Sequence, residues 1–234
     1  MTDSIASITH ENDISIITLD DGKANAFSFD MLNRVNELLA QVPRDTGALV
    51  ITGRSGLFSG GFDLKTMATG DMEKITQMVH LGYRLLEELY CFDRPIIAAV
   101  SGHSIALGLF VVCCADYRIA IDGEYVCQAN EVRNNMDIPT PIMEILKARV
   151  NKNYFYPAVY HSDAYSVQDS IAVGFIDEVV EETQFMNRVM EKAKELASLP
   201  HPFYTKTKKS SQDDVRQKIS NAIDKYENLT AIKK

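Results

Sequence analysis

Long apolar runs are missing from this chain of 234 residues. No window reaches the ~20 apolar residues that a helix needs to cross a bilayer, so no membrane-spanning role is expected. The opening residues, MTDSI, lack a basic stretch leading into an apolar run, and no secretory leader is expected. Cysteine is sparse. Cys91, Cys113, Cys114 and Cys127 show neither C-x-x-C spacing nor paired histidines, so no metal site is expected. They read as reduced, mostly buried thiols. Positive charge is also scarce: 24 Lys and Arg face 32 Asp and Glu, for a net charge of -8. That balance argues against broad binding to nucleic acid or to an anionic membrane. It leaves room for a polyanionic ligand wherever a few lysines gather. Together these absences predict a cytoplasmic protein.

What remains is ordinary for a globular domain: 46% hydrophobic and 24% charged residues. The length fits one domain, or one domain with a helical appendage. Two β-rich runs at 4–10 and 14–19 flank Glu-Asn-Asp and predict a hairpin. Phe29, Leu32, Val35, Leu38 and Leu39 recur at helical spacing behind Ser28, a plausible N-cap. Residues 48–52, 95–100, 117–121 and 125–130 read as strands, with 175–180 a short extended piece. Residues 71–90, 105–114, 139–150, 166–173, 183–199 and 202–229 read as helices. Alternation of this kind implies βαβ units, an α/β protein with a helical end.

Two segments carry more than pattern: GLFSGGFDLK at 56–65 and RPIIAAVSGHSIALGLF at 94–110. Each runs apolar residues into a Gly-containing turn, which leaves backbone N–H groups free to face an anion. Their order and flanks resemble the crotonase (enoyl-CoA hydratase/isomerase) superfamily, and the resemblance extends over residues 5–209. It implies a crotonase-like β-β-α spiral core over 1–182 and a C-terminal helical appendage over 183–234 used in trimerisation. It also implies that the amides of Phe62 and Leu107 hold the thioester oxygen of an acyl-CoA. Gly60, Gly61, Asp63 and Leu64 would surround the first donor, and Gly108 the second. Leu107 stands where the family usually has Gly, which predicts extra bulk at the pocket wall. The spacing from Gly102 to Asp116 keeps the family's register without a gap. Lys23, Ala24 and Ala26 match the segment whose backbone meets the adenine. In the run 206–209, Lys208 falls near a lysine that approaches the CoA phosphates; a solvated basic helix face is the plainer reading. His103 reads as a turn residue facing a neighbouring loop.

Enolate chemistry on a thioester needs a carboxylate near the α or γ carbon. Hydratases of this superfamily use two glutamates. The first aligns with Phe110, which transfers no proton; the second aligns with Glu131, with Pro139 supporting the register. Glu131 is either the acid/base group or a strand-end carboxylate paired with Arg133. Asp137 is a weaker candidate, and Glu144 reads as structural. The resemblance therefore implies a Δ3-Δ2-enoyl-CoA isomerase-type enzyme with Glu131 as its single carboxylate. Alternatives are a hydratase or lyase on an unusual acyl-CoA, and a non-catalytic acyl-CoA-binding protein. No cofactor is implied beyond CoA as part of the substrate, and the expected assembly is a homotrimer or hexamer.

Overall fold

A computed structural model describes residues 4–231. The chain opens with the expected hairpin, β1 (Ala6–Glu11) antiparallel to β2 (Ile14–Leu19). Helix α1 (Phe29–Leu39) follows, its first turn capped by Ser28 Oγ accepting from Met31 N. Three β-β-α turns come next. The first is β3 (Ala48–Gly53), β4 (Gly56–Ser59), the short α2 (Leu64–Ala68) and the long α3 (Met72–Tyr90). The second is β5 (Ile96–Val100), β6 (Gly102–Ile105) and α4 (Leu107–Cys114). The third is β7 (Tyr117–Ile121), β8 (Val126–Gln128) and α5 (Thr140–Arg149). The chain continues through β9 (Tyr165–Ser166), α6 (Asp169–Val173), β10 (Glu178–Val180), α7 (Phe185–Ala197) and α8 (His201–Ala231).

Each turn of the spiral gives one strand to each of two sheets. The larger runs β1-β2-β3-β5-β7-β10 and the smaller β4-β6-β8-β9. The inner strands of the larger sheet are apolar on both faces because both faces are covered. Leu49, Ile51, Ala98 and Val100 join the main core with α1, α3 and α4. Their alternates Val50, Ile97, Ala99 and Ile119 meet Phe185, Val189 and Ala193 of α7. The apolar positions of residues 183–199 do not need a second subunit to bury them, because α7 lies on its own chain's sheet and Val189 is fully buried there. Met186 is exposed, while Phe185 is buried.

Two short strands escaped the sequence reading. The stretch 105–114 is not one helix, since Ile105 ends β6 and only 107–114 are helical. Likewise 56–59 pairs with β6 as β4. Among the described residues no helix is long and apolar enough to cross a membrane.

Candidate active site

The first Gly turn is held by a loop that the sequence assigned to adenine. Asp21 accepts from the amides of Lys23, Asn25 and Ala26. Asn25, at φ +46°, is fully buried and donates to Leu19 O and Phe58 O. Ala24 O accepts from Gly60 N at 2.9 Å, and Arg54 donates to Lys23 O. Ala24 O thus ties this loop to Gly60, while the amides of Lys23 and Ala26 are spent on Asp21.

Beyond β4, Gly61 N donates to Ser59 Oγ, Phe27 N to Gly61 O, and Asp63 N to Phe27 O. Phe62 N lies between these bonds and has no acceptor among the described residues. Asp63 caps α2 by accepting from Lys65 N and Thr66 N. Burial would raise its pKa, but the Thr66 hydrogen bonds outweigh that and hold the carboxyl below its ordinary value. Leu64, the first helical residue, is exposed.

The second turn meets the first directly. Gly61 sits at φ +93°, and a Cβ there would lie 2.8 Å from Ala106 Cβ and 3.4 Å from Leu107 N. Ala106 itself is at φ +50°, with its amide donating to Gln128 O at 2.9 Å. Leu107 then opens α4, so its N–H lacks an intrahelical partner, and none is found among the described residues. Gly108 permits α4 to touch β4, because a Cβ there would be 2.6 Å from Ser59 O. The expected bulk at the pocket wall is displaced: Leu107 is fully buried, its side chain turned onto Gly82 of α3. The Phe62 ring rests on the same glycine, 2.5 Å from where a Cβ would stand.

Glu131 follows β8 by three residues, hence lies within about 10 Å of the Ala106 turn along the chain. Its carbonyl accepts from Asn134 N and Met136 N, both at 2.9 Å, which locks the turn. The residue is 7% exposed, and Oε2 has no partner among the described residues. Burial pushes its pKa up to about 7, only partly opposed by its own amide. Arg133 does not pair with it; that guanidinium reaches His161 O instead. Phe110 is fully buried in α4. Tyr83, which the sequence reading passed over, completes the surround. Burial raises its phenol pKa, and the charges of Tyr226, Asp137 and Glu131 raise it further. A glycine inside a 19-residue helix, Gly82, was the available signal that something passes close to α3 here.

Three further expectations resolve as structure. Lys208 is buried, its ammonium 2.6 Å from Asp116 Oδ2, so it is not an open cation for phosphate. His103 Nδ1 accepts from Val126 N, and its ring meets Tyr125 edge-on at 5.4 Å. Burial raises the pKa values of Cys113 and Cys127 to about 11 and about 12, which makes both inert.

The geometry is that of two facing amide turns beside one buried carboxyl. A sequence profile described as enoyl-CoA hydratase/isomerase matches residues 9–231. The chain belongs to the enoyl-CoA hydratase/isomerase family. Among solved structures, a probable enoyl-CoA hydratase of Mycobacterium tuberculosis H37Rv is 34% identical, with 97% of each chain covered and a TM-score of 0.91. A second structure of that same protein, there described as an enoyl-CoA isomerase, is also 34% identical, covering 96% of this chain and 98% of that one at 0.90. A probable enoyl-CoA hydratase of Bacillus subtilis is 30% identical over 120 residues, 50% of this chain and 46% of that protein. That match spans about half the length of each. For this family member, both kinds of named activity stand among its relatives.

Proposed function

We propose that the protein is an enoyl-CoA isomerase-type enzyme in which Glu131 is the only acid/base group. The observation that carries the reading is a buried carboxyl without a cation, its pKa near 7, beside two turns with unpartnered amides. A base works best when its pKa lies near the operating pH. In this reading the ionised Glu131 removes a proton from C2 of a 3-enoyl thioester. The C–H electron pair becomes part of a dienolate whose charge rests on the thioester oxygen. Phe62 N–H and Leu107 N–H hold that oxygen, the kind of pre-set donor pair worth most in a site without bulk water. The Glu131 acid then returns the proton to C4, the double bond moves to C2–C3, and the carboxylate is restored. Nothing is oxidised and no water is consumed.

Phe110 supports isomerisation over hydration, because adding water needs a second group to hold and deprotonate it. A trimer or dimer of trimers belongs to the same reading. The test is conversion of a 3-enoyl-CoA to its 2-enoyl isomer by wild type and Glu131→Gln. Rapid conversion that survives the substitution would place the base elsewhere, and binding without conversion would mark a non-catalytic acyl-CoA-binding protein.

A further inference from the structure

At the N-terminal end of β5, a cleft of about 550 Å³ opens between the loop after α3 and the start of α8. Its centre is Arg94, only 3% exposed. One nitrogen, Nη2, donates to Thr205 Oγ1 at 2.6 Å. Nε and Nη1 are buried and have no acceptor. A guanidinium stays charged even where burial lowers its pKa, and a buried charge without a partner is costly. The nearby carboxylates Asp93 and Asp45 favour its charge from a distance, but neither makes a hydrogen bond to it among the described residues. Asp93 Oδ1 lies 2.5 Å from Lys209 Nζ. Arg44, also in the cleft, is tied to Glu88 and stacked on Phe92. Arg94 and exposed Lys206 therefore share the cleft with Asp45 and with the Asp93–Lys209 pair, on a chain that is acidic overall. The N-terminus of the 31-residue α8 adds the positive end of a helix dipole at the same place.

We propose that this cleft is an oxyanion site for a phosphate group, separate from the chain's acyl-thioester site. The separation follows from topology. Gly102 and the amide turns lie past the other end of β5, about 16 Å of strand away. Arg94 supplies the buried charge, Thr205 holds its guanidinium in place, and Lys206 closes the outer side.

Titration of the full chain with inorganic phosphate, followed by calorimetry against chloride at equal ionic strength, tests this. Saturable binding is expected, weakened about tenfold or more by Arg94→Gln, since hydrogen bonds to charged groups carry effects of that order. Lys206→Gln, at an exposed position that does not threaten folding, should weaken it several-fold. Isomerase KM values for an acyl-CoA and for the matching acyl-pantetheine should both stay unchanged in Lys206→Gln and Arg94→Gln. A KM that rises for acyl-CoA alone would mean that the cleft takes the substrate's own phosphate, which overturns a separate site. No saturable binding, or binding equal in all three proteins, would show Arg94 satisfied by water or chloride only and overturn the proposal outright.

Discussion

In the proposed reading a single side chain, Glu131, carries both the acid/base role and a cost in stability. Replacement by Gln keeps shape but cannot cycle a proton, so turnover should fall by about 10²–10⁴, read from steady-state rates. Because the carboxyl must start ionised, wild-type kcat/KM should fall on the acid side of a pKa near 7. A profile flat from pH 5 to 8 would contradict that. The same pKa bears on folding. Glu131 is raised from 4.5 to about 7 in the folded state, so its contribution is present below the unfolded value and is lost as pH rises through 7. Glu131→Gln should therefore be the more stable protein at pH 8, by on the order of 3 kcal/mol, with the gap closing below pH 4.5. Denaturant midpoints at pH 8 and pH 4.5 check it. A second readout is exchange of the C2 hydrogens of a saturated acyl-CoA in D₂O, which wild type should catalyse and the variant should not.

Among the elements, α3 and α8 decide how the site is held. Gly82 of α3 receives the Phe62 ring, and Leu107 Cδ2 would stand 3.2 Å from an added Cβ. Gly82→Ala favours the helix by about 1 kcal/mol in isolation yet pushes the Phe62 ring, and with it one amide donor. The expected outcome is a fold preserved by circular dichroism and turnover lowered about tenfold or more, since small displacements of reacting groups are costly. Two of the ion pairs that fasten helix α8 lie close to the core. Lys208 pairs with Asp116, which also accepts from Ile96 N at 2.8 Å, and Lys218 meets Glu144 of α5 at 3.2 Å. Lys208→Met would leave the half-buried Asp116 with the Ile96 amide but without its cation, with an expected loss of about 2–3 kcal/mol. Thermal melts would show it. KM for acyl-CoA should stay unchanged in that variant at temperatures where it is folded, because the ammonium is committed inside the chain.

For the whole molecule, three β-β-α turns place the ends of β4, β6 and β8 side by side in the smaller sheet. The amides of the first two turns and the carboxyl after the third are thereby brought together from positions far apart in sequence. Assembly is the remaining question at this scale. The burial of α7 removes the need for a partner there, yet Tyr156 and Phe203 are 63% and 75% exposed. Light scattering at micromolar concentration should report a trimer or a multiple of it, and a monomer would remove that part of the reading.

The hairpin and the α3 span were legible in the sequence, while the spiral and the register from Gly102 to Asp116 were legible only through the family resemblance; the first two rest on pattern within the chain itself. Glu131 was legible too, through its match to the family's second glutamate. Its isolation from Arg133 was not, because burial and the absence of a partner depend on what the rest of the chain brings near. The same holds for Lys208, which in sequence is one of three lysines in a basic run and in space is the counter-ion of Asp116, 92 residues away. The direction of the Leu107 side chain, the bonds already made by the Lys23–Ala26 loop, and the lone charge of Arg94 were likewise decided only by tertiary structure. Periodicity reports which face of an element is apolar; which long-range partner meets a charge or an amide is settled only when the elements pack.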